Sequence, residues 1–360
     1  MKNYFLTLLL SVFILNNLHA QEDVEEVIVT SSLTSSALAD IEDPIHLVEG
    51  DDIDSSATQS LGETLDDLLG VSSQDYGAAV GRPVIRGMMG TRVKILNNGF
   101  VVQDVSGMGG DHTNEIDFND IKQVEIVRGP SSLFYASGTV GGIINIVDDL
   151  IAKEDFNTQE INLGLETQSV SEGDSQNFSY KNNIAGFNVS VGFKDSSFGN
   201  YEIPNGAVIH MEEEHHDEDH DDEEHEEEET GFLANSDAAK TAQKVGISKT
   251  GDWGYFGIGF RDQESVFGLP YHVEPPGAHG DEHGDEDDHD EHGEERIFSS
   301  TNSEAFDIQG AYMVKGEVLK KIMFNFRDTD YIHTEQHMEM EEDHDEHEGE
   351  EEHDEHGGPT

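Results

Sequence analysis

From about residue 159 onward, apolar side chains recur at every second position, which is the spacing of a β-strand with one apolar face. The run Phe187–Phe193 alternates apolar with polar or glycine residues, and Phe256–Phe260 and Ile322–Phe326 repeat the pattern. An apolar face of this kind packs inside a soluble sandwich or faces lipid around a transmembrane barrel. We predict seven such strands, near residues 159–168, 175–184, 187–197, 239–250, 253–264, 303–314 and 319–330.

The links between these strands alternate in length. Short turns centre on Ala185-Gly186, Gly251-Asp252 and Gly316-Glu317, whereas the segments after the third, fifth and seventh strands are long. In an up-and-down barrel, alternate links lie at the same end, with short turns in the periplasm and long loops outside. A sandwich gives no reason for this alternation. We therefore predict a transmembrane antiparallel β-barrel within residues 151–360, with extracellular loops at 198–236, 265–302 and 331–360.

Each long loop contains a run built almost wholly from histidine, aspartate and glutamate. The runs span residues 210–229, 272–295 and 333–356, and they hold 16 of the 19 histidines and 38 of the 78 acidic residues. Acidic low-complexity loops are usually only solvated, but solvation needs no histidine, and imidazole is a ligand for divalent transition metals. We predict metal binding by His210, His215, His216, His220, His225, His272, His279, His283, His289, His292, His333, His337, His344, His347, His353 and His356.

Charge and cysteine content narrow the class of protein further. The formal net charge is −59, and the chain has no cysteine. Such a chain repels nucleic acid and attracts cations, and it leaves histidine and carboxylates as the metal ligands. Residues 1–20 have the charged start, short apolar stretch and small final residue of a cleaved signal peptide, and no later segment is apolar enough for a spanning helix.

Residues 41–150 have the pattern of a compact mixed α/β domain. Ser60 and Glu63 form a capping box before a short helix, and Asn98-Gly99 is a hairpin turn signal. Short strands are predicted around these features at Val84–Arg86, Arg92–Leu96, Val124–Val127 and Ile143–Val147.

Three stretches of this domain resemble the plug domain of TonB-dependent outer-membrane receptors. They are Val84–Gly99 (VIRGMMGTRVKILNNG), Val124–Tyr135 (VEIVRGPSSLFY) and Gly141–Ile146 (GGIINI). Ala136 departs from the glycine that many members have after the tyrosine. The resemblance implies an α/β plug domain inside a barrel of about 22 strands. Since only about seven strands are present, we expect the chain to be the N-terminal part of a longer protein.

The resemblance also implies a partner. In the tail 21–40, the segment Glu26, Val27, Ile28, Val29 and Thr30 is similar to a TonB box, and a short β-branched segment can add as a strand to a partner's sheet edge. TonB with its inner-membrane energy complex is the expected partner, and the outer membrane of a Gram-negative bacterium is the expected location.

Long His/Asp/Glu-rich loops on such a receptor resemble ZnuD-type zinc receptors, and so does the segment Gly268–His272. In that group an Asp-His pair on an outward plug loop forms a discrete zinc site. Asp111-His112, after the glycine-rich Ser106–Gly110, holds the matching position. The resemblance does not assign the barrel ligands of this site.

The expected function is therefore import of a divalent metal ion, with zinc as the transported ligand. The alternatives are a haem, iron-chelate, copper or nickel receptor of the same family, or a surface metal-binding protein without transport. No catalytic constellation is recognised, so we expect no enzyme activity and no catalytic cofactor.

Overall fold

The computed structural model describes residues 45–50, 52–53, 60–77, 80–129, 132–133, 135–204, 207, 231–270 and 295–339. The predicted signal peptide, the predicted TonB-box segment and most of the three His/acid runs lie outside these residues. Among the described residues, the elements of the N-terminal domain include one short helix and seven strands. They are β1 (Ile45–Glu49), α1 (Leu61–Leu65), β2 (Val71–Asp75), β3 (Gly81–Ile85), β4 (Val93–Asn97), β5 (Phe100–Val101), β6 (Ile121–Val127) and β7 (Gly142–Asp148).

The local signals in this domain act as predicted. The Ser60 hydroxyl accepts a hydrogen bond from the Glu63 amide at 3.2 Å and caps α1. Asn98 and Gly99 adopt φ values of 51° and 85° and turn β4 into β5. The four predicted strands correspond to β3, β4, β6 and β7, with ends shifted by one to three residues.

The N-terminal domain is built on one mixed sheet. Its strand order is β1-β6-β7-β4-β5, and the β4–β7 pair is the parallel one, while β2 and β3 form a separate pair. Buried aliphatic side chains of α1 and the sheet form the core, among them Leu61, Leu65, Ile126, Ile144 and Ile146. Burial of this apolar area stabilises the domain.

The second part of the chain is one antiparallel sheet. Its strands are β8 (Glu160–Gln168), β9 (Gly173–Ile184), β10 (Phe187–Phe198), β13 (Ala238–Gly251), β14 (Gly254–Gly268), β15 (Glu295–Met313) and β16 (Lys321–Glu339), in the order β16-β15-β14-β13-β10-β9-β8. The short β11 (Tyr201–Glu202) and β12 (Phe232–Leu233) pair with each other after β10. All seven predicted strands are present, and each pairs with its sequence neighbours as in an up-and-down barrel.

Four of the predicted loop boundaries are wrong. Residue 198 belongs to β10, residues 265–268 to β14, residues 295–302 to β15 and residues 331–339 to β16, so none of these segments is loop. Strands β15 and β16 pair without a break from Met313↔Lys321 to Glu295↔Glu339. Each has 19 residues, more than the roughly 9–11 that a tilted strand needs to cross a membrane. His333 and His337 therefore lie on a regular strand.

The two faces of the seven-stranded sheet differ as a barrel wall requires. Large apolar side chains are exposed on the outer face, among them Val245, Ile247, Phe256, Phe306 and Phe324. The inner face has buried small or polar residues, among them Ser190, Lys244, Ser299 and Gln309, and it contacts the N-terminal domain. This distribution fits lipid outside and a polar interior. Within the described residues, no helix is long and apolar enough to cross a membrane.

A buried network of charges joins the N-terminal domain to this wall. Asp307 lies between Arg261 and Arg327, and its side chain is fully buried. Arg261 also donates to both carboxylate oxygens of Asp148 at 2.9 and 3.0 Å, and Arg327 donates to the Asn97 side chain at 2.8 Å. Burial alone would raise the pKa of Asp148, but Arg261 and Lys244 hold that pKa well below its usual range.

Candidate metal site

Three metal-ligating side chains converge at the outer end of the inner wall. His112 comes from the glycine-rich loop of the N-terminal domain, and His333 and Glu335 come from β16. One ligand atom from each lies within 4.8 Å of the other two. We call these residues the three-ligand cluster. Both histidines are ligands predicted from the sequence, but nothing in the sequence indicates that they meet.

Two distances within the cluster match those between the ligand atoms of a tetrahedral ion. Glu335 Oε1 lies 3.5 Å from His112 Nε2 and 3.4 Å from His333 Nε2. These separations are longer than a strong hydrogen bond. With zinc–ligand bonds of about 2.0–2.1 Å, neighbouring ligand atoms of a tetrahedron are about 3.4 Å apart. The two imidazole rings meet edge to face, with centroids 5.2 Å apart.

The period-two pattern of β16 directs His333 inward. Along this strand Arg327, Thr329, Tyr331 and His333 are less exposed than the residues between them. The buried Ser299 on β15 places its hydroxyl 3.2 Å from His333 Nε2. Glu335 is the next inward position and is 46 % exposed. The cluster is therefore half-buried and open on the Glu335 side.

The loop that contains His112 is held by side-chain hydrogen bonds at both of its ends and in its middle. Asp104 accepts hydrogen bonds from the Ser106 amide at 3.1 Å, the Ser106 hydroxyl at 2.6 Å and the Glu115 amide at 3.3 Å. The buried Arg82 donates to the Gly109 carbonyl. These contacts order a segment that its glycines would otherwise leave loose. His112 itself is buried, and its Nδ1 atom has no hydrogen-bond partner among the described residues.

Asp111, the other half of the predicted pair, is not one of the three clustered residues. Its negative charge acts on the guanidinium of Arg82, where it partly offsets the lowering of the Arg82 pKa by burial. The structure thus brings together His112 and His333 of the predicted ligands and leaves Asp111 beside Arg82. The assignment of Asp111 as a ligand stays a prediction.

Asp104 gives the loop a measurable pH dependence. Burial is the main cause that raises the pKa of this carboxyl, and the charge of Glu115 adds to it. A raised pKa in the folded state means that stability contributed by the protonated form is lost as pH rises through that pKa. We expect the melting temperature of wild type to fall relative to Asp104→Asn as pH rises from about 4, the ordinary aspartate range, to 7. Parallel pH curves for the two proteins would contradict this.

The remaining predicted ligands cannot be compared with the structure. The other histidines of the runs, and the side chain of His337, lie outside the described residues. Glu335 is not among the predicted ligands, because it is one of 38 acidic residues in the runs and has no distinguishing local sequence. Glu335 could have been found from the period-two pattern of the strand. Arg327, Thr329, Tyr331 and His333 share the inward face, and Glu335 is the next residue on that face.

The N-terminal domain is similar to a known protein family. Residues 37–143 match the family model described as the TonB-dependent receptor plug domain. The match lies within the predicted plug domain, residues 41–150, apart from its first four residues. Over 131 residues the chain is 28 % identical to the vitamin B12 transporter BtuB of Photobacterium profundum. The matched segment covers 36 % of this chain and 21 % of that protein. BtuB of Vibrio vulnificus is also 28 % identical, over 42 % of this chain and 25 % of that protein.

Solved structures extend the likeness from the plug to the barrel wall. The FrpB iron transporter from Neisseria meningitidis superposes with a TM-score of 0.57 at 14 % identity, covering 80 % of this chain and 41 % of that one. The copper transporter OprC gives 0.54 at 15 %, covering 81 % and 37 %. The chain thus spans about two fifths of these structures. Its fold is a plug with part of a receptor barrel, and it belongs in the outer membrane of a Gram-negative bacterium.

Proposed function

We propose that the protein is a TonB-dependent receptor that captures and imports a divalent transition-metal ion, with zinc as the first choice. The observation that carries this proposal is the three-ligand cluster, in which plug and barrel each supply ligands. Two imidazoles and one carboxylate are a ligand set that zinc accepts, with a fourth position left for water or another side chain. The His/acid runs would concentrate the ion outside, and TonB would act through the segment from Glu26 to Thr30.

The named relatives do not select the cargo. Their descriptions name vitamin B12, iron and copper. Copper(II) and nickel(II) also accept imidazole, and copper binds more tightly than zinc to most such sites. The nitrogen and oxygen donors of the cluster favour a free divalent ion over Cu(I), which prefers sulfur ligands. If zinc is not bound tightly, the remaining alternatives are a haem or iron-chelate receptor and a surface metal-binding protein without transport.

The proposal predicts one tight zinc site among many weak ones. The protein purified in detergent is titrated with zinc buffered by a chelator, so that only the tightest site fills. We expect His112→Ala and Glu335→Gln each to weaken that site by at least about tenfold, since each removes a ligand. His46→Gln, a plug histidine on β1, is the matched control and should bind as wild type does. Equal affinity in all four proteins would contradict the site.

A further inference from the structure

A segment of the plug that immediately follows the His112 loop lies across the inner face of the barrel wall. We call this segment, Glu115–Asp120, the strap. It crosses strands β15, β14, β13, β10 and β9. Its contacts are Glu115 with Gln263, Ser265 and Thr301, the Ile116 carbonyl with Lys240, Asp117 with Lys244, Asn119 with the carbonyls of Phe178 and Phe193, and Asp120 with Lys181.

Glu115 is the strap residue nearest to the three-ligand cluster. Its Oε1 atom accepts hydrogen bonds from the Thr301 hydroxyl at 2.6 Å and the Ser265 hydroxyl at 3.1 Å, and its Oε2 atom accepts one from the Gln263 amide. Thr301 is the residue paired directly with His333 between β15 and β16. The Glu115 carboxylate is therefore bonded to the strand position opposite a cluster ligand.

The backbone of Glu115 is fixed as well. Its amide donates to Asp104, at the far end of the loop that contains His112. His112 lies three residues before Glu115, and its Nδ1 atom has no partner among the described residues that would orient the ring. Apart from its contacts with His333 and Glu335, the His112 ring is placed by the loop backbone, and the end of that loop is fixed at Glu115.

We infer that Glu115 is a positioning residue that sets the plug loop against β15 and β16 so that His112 meets His333 and Glu335. This inference rests on the proposed function, because it concerns the assembly of the proposed zinc site. Residues that orient metal ligands through hydrogen bonds typically change metal affinity about 10–100-fold when removed. Glu115→Ala should lower the affinity of the tightest zinc site within that range.

A conservative variant separates positioning from simple attraction of the cation. In Glu115→Gln the amide oxygen still accepts from Ser265 and Thr301, and the Gln263 amide can turn over so that its oxygen accepts from the new NH₂ group. The hydrogen bonds remain while the charge is lost. With chelator-buffered zinc, we expect Glu115→Gln to stay within about threefold of wild type, well short of the 10–100-fold loss in Glu115→Ala.

A double-mutant cycle then tests the link to the cluster. His112→Ala removes the ligand that Glu115 is proposed to position, so Glu115→Ala should cause little further loss of zinc affinity in that background. Thr301→Val removes one hydrogen-bond donor to Glu115 and replaces Glu115→Ala in the experiment if that variant does not fold. We expect Thr301→Val to lower zinc affinity by a few fold. Asp120→Asn, at the other end of the strap, is the matched control and should leave zinc affinity unchanged.

The outcomes separate the inference from the proposed function. If Glu115→Ala binds zinc as wild type does, or if Glu115→Gln loses as much affinity as Glu115→Ala, Glu115 is not a positioning residue although the site stands. If the two losses simply add in the cycle, the effect of Glu115 does not act through His112, and the inference is again overturned. If His112→Ala itself leaves the tightest site unchanged, the proposed site fails, and the inference fails with it.

Discussion

Replacing His112 and His333 together with alanine should abolish zinc uptake at scarce zinc. One residue belongs to the plug and the other to the barrel wall, so the double variant removes the proposed site from both sides while leaving all other histidines of the runs in place. The tightest zinc site should weaken more than about 100-fold, since loss of a residue that only supports a ligand already costs about 10–100-fold. Uptake is measured with radioactive zinc in cells, with and without TonB.

A deletion series gives the comparison for this experiment. Removing residues 210–229, 272–294 and 340–356 leaves the three-ligand cluster intact and takes away the other run histidines apart from His337. We expect fewer zinc ions bound per protein and slower uptake at scarce zinc, with uptake at ample zinc preserved. If the double alanine variant imports zinc normally while the deletion variant does not, the transport site lies in the runs, and the proposed role of the cluster is wrong.

The second large effect concerns stability, and we expect it from Asp307→Ala. This carboxylate is fully buried between Arg261 and Arg327, and among the described residues it is the one carboxylate that pairs with Arg327. Removing one partner of a buried ion pair leaves an uncompensated charge and typically costs about 3–5 kcal/mol. The free energy of unfolding, measured by urea titration in lipid vesicles, should fall by that amount.

A neighbouring carboxylate provides the control for Asp307. Asp262 accepts a hydrogen bond from Gln243 on the exposed side of the wall. Asp262→Ala should therefore cost no more than about 1 kcal/mol, the usual value for an exposed polar pair. Because Arg261 and Arg327 also reach Asp148 and Asn97 of the plug, Asp307→Ala should increase cleavage of the plug by added protease. A loss no larger than that of Asp262→Ala would mean that water replaces the missing carboxylate.

The strands could be predicted from sequence because each signal was local. Alternation of apolar and polar residues marked all seven wall strands, and turn residues such as Asn98-Gly99 and Ala185-Gly186 marked the reversals between strands. The outer end of β16 was missed because its histidine and glutamate resemble the adjoining run in composition, and the outer end of β15 was missed because its polar stretch Ser299–Asn302 resembles loop sequence. Pairing with a neighbouring strand, which no single segment reveals, extends these strands to Glu295 and Glu339.

The candidate site was only half predictable for the same reason. His112 was found through a family resemblance in the plug, and His333 was one of sixteen equivalent run histidines. Their meeting depends on how plug and wall pack, which is a long-range contact across more than 200 residues of chain. Glu115 gave no local signal at all, because its role comes from three donors on β14 and β15.

The place of β1 at the edge of the plug sheet has a mechanical consequence. β1 has β6 as its sheet neighbour, through five residue pairs from Ile45↔Val127 to Glu49↔Gln123. A force applied to the chain before Ile45 acts first on the hydrogen bonds between β1 and β6. Because β1 is an edge strand, it can separate from the sheet without disturbing β7 or β4. The strap lies just beyond the other end of β6 and is fastened to five strands of the wall. A force that separates β1 from the sheet therefore acts on five residue pairs, whereas removing the strap from the wall also breaks the ion pairs of Asp117 with Lys244 and of Asp120 with Lys181.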